Sequence, residues 1–444
     1  DRLRSRGLGD VYKRQHMFRW SPARIIAGAF GSISFIGSIL LYLPWGHMPG
    51  QSITYVDALY TAVSALCVTG LSIVDTAAVF NPFGQAILAV LIQVGGLGVS
   101  TMGAGVLLML GRKVGIRQRN LIHDTMNLDS YSGVVRFLRT LFATTVFIEI
   151  IGAFLGYFVF RRDYEMMESI GLSIFHSISS FNNAGLTILT KERSMEMYAE
   201  DPFMLILTTA LVFVGGLGFI VIRECWVNRF RWRKLSMHSR VSIFMAVFLL
   251  IGGAVLLKLT NPISWLVAFF SSQSARSVGY MVYPFESWSP AGLLVMLVLM
   301  FIGTSTGSTG GGVKTSTVFA LVLGVRRVTT NARAEAFHYS LPPLAFRKAA
   351  VVVVLAIADI VISTFILLLV CPELSLAEAF TEMMSAFTTV GLSLGTTASL
   401  NEWGKLISIL VMLTGRMGPM TIATAWYFYE ETRARYPEGN VTVG

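Results

Sequence analysis

Charged side chains are scarce in this sequence: Asp, Glu, Lys and Arg make up 14% of its 444 residues. A soluble domain keeps roughly 25% charged residues to cover its surface, so a water-exposed globule of this size is excluded. Cysteine is scarcer still. Cys67, Cys225 and Cys371 stand far apart without metal-ligand spacing, which argues against a disulfide framework or a zinc site. Catalytic constellations are missing too. The six histidines (His16, His47, His123, His176, His238 and His338) are isolated, and no HExxH, GxSxG or paired-carboxylate pattern occurs. The chain therefore does not read as an enzyme, and nothing in it calls for a cofactor. Long soluble segments are also lacking. The largest connections, near 111–136, 223–240 and 325–347, suit docking of a separate partner.

What is abundant is apolar sequence: 54% of the residues, with a mean hydropathy of +0.65. Runs near 20 apolar residues recur along the whole length, and a helix rising about 1.5 Å per residue crosses about 30 Å of hydrocarbon in such a run. Residues 1–16 are charged and lack the apolar core of a signal peptide. They read as a non-native leader, with Met17 as the natural start. The net charge of +10 is unevenly placed. Basic clusters (Arg19 and Arg24; Arg112, Lys113, Arg117 and Arg119; 223–240; 326–348) border apolar runs, while acidic residues gather in the alternate connections. These are Asp163, Glu165 and Glu168, then Glu192, Glu196, Glu200 and Asp201, then Glu373 and Glu378. The positive-inside rule puts the basic set in the cytoplasm and the acidic set outside. Topology thus accounts for the basic residues without invoking nucleic acid.

Four short segments share one pattern, a small amphipathic stretch ending in glycine plus a bulky residue: 58–71, 174–186, 268–280 and 379–392. Aligned on the glycine, they end Val68-Thr69-Gly70-Leu71, Asn183-Ala184-Gly185-Leu186, Ser277-Val278-Gly279-Tyr280 and Thr389-Val390-Gly391-Leu392. Ser64, Ser179, Gln273 and Ser385 stand six residues before each glycine. A second landmark, a glycine break in the next apolar run, begins at Gly95, Gly215, Gly303 and Gly415, that is 25, 30, 24 and 24 residues after the first. Apolar runs at 24–44, 137–160, 240–259 and 347–370 precede the segments, and runs at 82–110, 203–222, 289–326 and 403–429 follow them. The segments between are too short to span and carry Ser, Thr, Asn and Gly. Such backbone is tolerated at membrane depth only when buried in protein or lining a watery cavity.

The expected fold is an all-α membrane protein of four tandem helix–pore-loop–helix repeats. Eight spanning helices and four re-entrant pore loops surround a pseudo-fourfold pore. The repeats run 17–111, 112–222, 223–326 (with an intramembrane loop at 303–317) and 327–444, C-terminal tail included. Both termini fall in the cytoplasm. Four loops of one chain around an axis can present backbone carbonyls to a dehydrated cation, as the TVGYG loops of potassium channels do. The glycine supplies the φ > 0 geometry that turns them.

These loops, with SARSVGY in the third, NNAGL in the second and the stretch 303–317, resemble the Trk/Ktr/HKT superfamily of potassium transporters, most closely its KtrB-like membrane subunits. The resemblance covers the chain from about Met17 to its end. It implies potassium uptake across a bacterial cytoplasmic membrane. Its filter would be Val68, Thr69, Gly70, Asn183, Ala184, Gly185, Ser277, Val278, Gly279, Thr389, Val390 and Gly391. In the superfamily a serine at the first filter glycine goes with sodium transport, so Gly70 implies potassium as the transported ion. The resemblance also implies a homodimer on a cytoplasmic ring of nucleotide-binding RCK (KtrA-type) subunits, and it leaves sodium as a candidate activator.

The stretch after Gly303 falls short of a phosphate-binding loop, because Val313 separates Gly312 from Lys314. It reads either as a hinge or as a break at membrane depth that lines a cavity. The resemblance makes it a gating loop comprising Gly303, Thr304, Ser305, Thr306, Gly307, Ser308, Thr309, Gly310, Gly311, Gly312 and Lys314. Arg416 aligns with Gly96, Gly216 and Thr304, one cation in an otherwise uncharged ring. Insertion of an arginine at mid-membrane costs about 2.5–3.5 kcal/mol, so it faces a polar interior. There it either repels ions and bonds the 304–310 loop as part of the gate, or holds helix-end carbonyls off axis. Arg276 is expected to hold the third loop from behind. Glu149 and Asp359, mid-helix acids, are either proton relays or hydrogen-bonded structural groups. A sodium- or proton-coupled secondary transporter with midplane sites at broken helices is the alternative architecture, although four repeats running in one direction favour a channel-like pore.

Overall fold

The computed structural model describes residues 22–109, 134–189, 195–330, 333–419 and 421. The leader expected at 1–16, Met17, Arg19, the basic cluster at 112–119, Glu192 and the C-terminal tail lie outside the described residues, as do His16 and His123. The described residues are mostly helical. Their β structure is one two-stranded ribbon, β1 (Glu335–Ala336) and β2 (Tyr339–Ser340), paired antiparallel.

Four helices are long and apolar enough to cross a membrane unbroken: α1 (Pro22–Tyr42), α5 (Val134–Phe160), α9 (Met237–Thr260) and α13 (Pro343–Val370). Each precedes one of the four glycine segments. Their outward faces carry large apolar side chains, such as Phe35 and Ile36 on α1, Phe147 and Ile150 on α5, and Val354 and Phe365 on α13. A contiguous exposed apolar belt of this extent is what hydrocarbon solvates and water does not. The interior is also mainly apolar, but it buries a set of polar residues completely, among them Ser64, Thr69, Ser179, Asn183, Ser277, Ser385 and Thr389.

A short helix follows each long one: α2 (Tyr55–Cys67), α6 (Met166–Phe181), α10 (Trp265–Ser274) and α14 (Leu376–Thr388). At about 1.5 Å per residue these reach only about 15–24 Å. Three start on a hydroxyl cap (Thr54, Ser264 and Ser375), the last completed as a capping box by Glu378. α2 and α14 end on a left-handed residue, Val68 and Thr389.

The second helices start as sharply, on the side-chain caps of Asn81, Asp201, Ser289 and Asn401, the first three followed by Pro at N1. None of them runs on as one unbroken helix: each is interrupted near the glycine break noted in its apolar run. α3 (Pro82–Leu97) stops at Gly98 before α4 (Val99–Met109), and α7 (Pro202–Leu217) stops at Gly218 before α8 (Phe219–Val227), which turns away by 96°. α11 (Pro290–Phe301) gives way to an irregular segment, 302–314, before α12 (Thr315–Thr330), and α15 (Glu402–Met417) stops at Gly418. Gly98, Gly218 and Gly418 share φ of +86°, +95° and +87° with extended ψ. Only glycine enters that conformation freely, so these three breaks fall just past the second glycine landmark, whereas the break after α11 begins at Ile302, immediately before Gly303.

Candidate functional site

The four segments singled out by their glycines come together. A Cβ on Gly70 would collide with the Ala184 carbonyl and Gly185, and one on Gly185 with the Val278 carbonyl. One on Gly279 would strike the Val390 carbonyl, and one on Gly391 the Thr69 carbonyl. Each loop thus abuts the next and the fourth abuts the first, closing a ring in chain order. The glycines have φ of +88°, +72°, +71° and +96°.

A second positive-φ position lies two residues earlier, at Val68, Asn183 and Thr389 (φ 59°, 60° and 52°), whereas Ser277 keeps negative φ. For β-branched Val68 and Thr389 this is a strained conformation, held only because the surroundings over-determine it. Thr69 and Thr389 are fully buried, and their hydroxyls have no hydrogen-bond partner. Val68, Ala184, Val278 and Val390 are fully buried or nearly so. The ring thereby gathers carbonyl and hydroxyl oxygens without a carboxylate, a donor set suited to a dehydrated monovalent cation.

Each loop is tied to the helix before it. Ser64 donates to the Leu71 carbonyl and Ser179 to the Leu186 carbonyl, both at 2.7 Å, and Ser385 accepts from the Gly391 amide at 3.0 Å. In the third loop the equivalent is Ser274, which donates to the Tyr280 carbonyl at 2.6 Å, and not Gln273 as the sequence alignment had it. That loop is one residue shorter between its serine and its glycine, and SSQSARS offers several serines to a gapless alignment. Arg276 is 2% exposed and donates to the Ala246 carbonyl on α9 (3.3 Å) and to the Gly303 carbonyl (3.1 Å). Tyr280 stacks on His176 and donates to Ser179 at 2.9 Å, joining the third loop to α6.

The second landmark packs against these loops. Cβ atoms on Gly95, Gly215 and Gly415 would strike the Leu66, Phe181 and Phe387 carbonyls, each four residues before a ring glycine. In the third repeat Gly303 instead abuts Gly311 within the irregular segment. That segment is bonded to the break between α7 and α8: Ser305 N–H donates to Gly216 O (3.1 Å), Thr309 N–H to Gly215 O (3.3 Å) and Phe219 N–H to Gly307 O (3.0 Å). Internally, Ser308 bonds Thr304 (2.7 Å), Thr306 bonds Ser316 (2.8 Å), and Lys314 Nζ donates to the Gly310 and Gly311 carbonyls (2.7 and 3.3 Å). Gly310 lies against Thr304 and Ser277, Gly311 against Thr389, and Gly312 (φ +71°) against Gly303. Arg416 reaches it from α15, donating to the Thr309 carbonyl and to the Gly95 and Gly96 carbonyls where α3 ends.

Glu149 and Asp359 are half-buried on the long helices α5 and α13. Glu149 accepts from Gln93 (3.3 Å) and Asn182 (3.0 Å), and Asn182 also donates to Gln93 (2.8 Å). Asp359 lies near Thr414, whose hydroxyl donates to the Val411 carbonyl at 2.8 Å. The sequence reading passed over Glu382 on α14, fully buried and accepting from Ser393, Thr396 and Thr397 at 2.7, 3.0 and 2.7 Å. A second acidic residue in that helix, one turn after the capping Glu378, was the available signal.

The sequence profile of the TrkH family, described as cation transport protein, matches residues 21–239 and 232–431. The chain belongs to the TrkH family of cation transport proteins. Among this family's relatives, the Ktr system potassium uptake protein B of Vibrio alginolyticus is 35% identical over 95% of this chain and 94% of its own. The potassium/sodium uptake protein NtpJ of Enterococcus hirae is 33% identical over 98% of this chain and all of its own. The crystal structure of the potassium transporter TrkH from Vibrio parahaemolyticus shares the fold with a TM-score of 0.73 at 18% identity, covering 93% of this chain and 87% of that one. Membership of the family makes this chain a membrane transporter.

Proposed function

We propose that this chain takes up potassium ions across a bacterial cytoplasmic membrane through a central pore. Its selectivity filter would be Val68–Gly70, Asn183–Gly185, Ser277–Gly279 and Thr389–Gly391, with 303–314 and Arg416 as the gate. The observation that carries the reading is the closed ring of the four glycine loops. Positive-φ residues two apart in three of them re-aim successive carbonyls toward a common axis, where they can replace a potassium ion's hydration shell. In this reading α2, α6, α10 and α14 are re-entrant pore helices of four repeats (17–111, 112–222, 223–326 and 327–444).

Orientation follows from charge. The N-terminal ends of the long helices carry Arg24, Arg136 and Arg139, Arg240, and Arg347 and Lys348, and their far ends lead into Asp163, Glu165 and Glu373. Arg162, at a far end, is paired with Asp201 at 2.8 Å. With basic ends inside, the termini are cytoplasmic. The two named relatives are uptake proteins for potassium, or for potassium and sodium. A homodimer seated on RCK-type regulatory subunits would use the cytoplasmic connections, and sodium would be an activator rather than a cofactor. Coupled secondary transport gains no support from Glu149, whose carboxylate is bonded to Gln93 and Asn182.

The test is K⁺ and ⁸⁶Rb⁺ uptake into proteoliposomes, with Gly391→Ser beside the wild type. Uptake that K⁺ competes for and Na⁺ does not, lost or less selective in the variant, is expected. Selective uptake indifferent to Gly391→Ser would overturn the filter assignment.

A further inference from the structure

Asn183 belongs to the ring by its backbone, but its side chain does something separate. Its amide donates to the Thr309 hydroxyl at 2.6 Å and to the Phe181 carbonyl at 3.3 Å, and its Oδ1 accepts from the Ser277 hydroxyl at 2.6 Å. The Thr309 hydroxyl in turn donates a hydrogen bond to the Phe181 carbonyl at 3.1 Å, the carbonyl that also abuts Gly215. Asn183, Ser277 and Thr309 are all fully buried, so no bulk water can take the place of a lost partner. One buried amide thus joins the second loop, the third loop and the irregular segment.

The main chain of Thr309 is committed in the other direction. Its carbonyl takes the hydrogen bond from Arg416 and its amide donates to Gly215. Arg416 and the filter therefore meet at one residue. A displacement of the segment large enough to clear a path beneath the ring also takes the Thr309 hydroxyl away from Asn183. Asn183 sits at positive φ, a conformation that an asparagine tolerates best when its side chain is fixed locally. Release of that side chain frees both its own carbonyl position and that of Ser277.

We propose that the Asn183 side chain is a positioning residue for selectivity, through which the state of the 303–314 segment sets the geometry of the filter. The inference rests on the pore reading above. It assigns to Thr309 a role in ion discrimination although its side chain lies one step removed from the ring.

The readout is the ratio of Na⁺ to K⁺ concentrations that halve ⁸⁶Rb⁺ uptake in proteoliposomes, which does not depend on how many pores are open. Thr309→Val removes the hydroxyl and keeps the backbone contact with Arg416. It is expected to lower that ratio roughly threefold to tenfold, the scale of one buried hydrogen bond. Thr309→Ser should keep the wild-type ratio, and Ser277→Ala added to Thr309→Val should lower it little further. Flux altered by Thr309→Val at an unchanged ratio would overturn the proposal. Gly391→Ser separates the two layers: if it shifts the ratio and Thr309→Val does not, only this inference falls, and if neither does, the filter reading falls with it. Should Thr309→Val not assemble, Ser277→Ala alone is read against the same criterion.

Discussion

A methyl group decides much at the residue scale in this protein. Gly95 has the Leu66 carbonyl where its Cβ would be, whereas Gly31, on the exposed face of α1, has nothing within 4 Å. The first is a place where helix and loop backbones touch, and the second is merely a flexible position in a helix. Gly95→Ala forces a backbone shift and should cost about 1–3 kcal/mol, the range for overpacking a well-filled site. Gly31→Ala should leave stability unchanged or raise it slightly, since alanine is the better helix former. Thermal unfolding of the detergent-solubilised protein checks both, and equal midpoints for the two variants would refute the close packing at Gly95. Legibility at this scale follows the same physics. Glycines announced themselves because no other residue fits their conformation. The left-handed turns at Val68 and Thr389 did not, because β-branched residues are the last to be expected there. Nor was the bridging by Asn183 readable, since its partners stand 94 and 126 residues away in sequence.

Among the elements, long and second helices behave differently although both are apolar. Length and hydropathy located the four long helices to within about four residues, and these run unbroken as expected. What hydropathy could not give is continuity: an apolar run continues through Gly98 or Gly218 while the helix does not. The 302–314 segment is the longest such interruption, with backbone bonds to the break in the second repeat on one side and Arg416 on the other. Three hydrogen bonds from one guanidinium cross-link this segment to the end of α3. Charge-assisted bonds of this kind are roughly twice as strong as neutral ones. On the gating reading, Arg416→Ala removes both the cross-link and a positive charge near the path. It should raise K⁺ flux at equal expression by roughly tenfold, about 1.4 kcal/mol. Unchanged flux would leave Arg416 as a structural clamp on helix-end carbonyls.

The whole molecule is a ring built from a linear chain, and this sets where its assembly is most exposed. Covalent connections join the first glycine loop to the second, the second to the third and the third to the fourth, but the fourth meets the first only by contact. At that seam Lys405 on α15 pairs with Asp57 on α2 at 2.7 Å, with side chains 11% and 13% exposed, and Lys405 also bonds Glu402 at 3.2 Å. Next to them Tyr60 and Ser408 share a hydrogen bond at 3.1 Å, and deeper in, Gly391 rests on the Thr69 carbonyl. A nearly buried pair is a poor source of net stability, yet removing one partner leaves an uncompensated charge. Lys405→Met should therefore cost about 2–3 kcal/mol, less than for a fully buried pair because water still reaches both groups. Asp57→Asn should cost less, since the amide can still accept from Lys405 while Glu402 neutralises the lysine. The double variant should be milder than the sum of the two, because the second change removes the charge that the first one stranded. Thermal midpoints for the three variants decide it. Strict additivity would mean that Lys405 and Asp57 do not hold the seam together, and that closure rests on the glycine and carbonyl contacts of the ring itself.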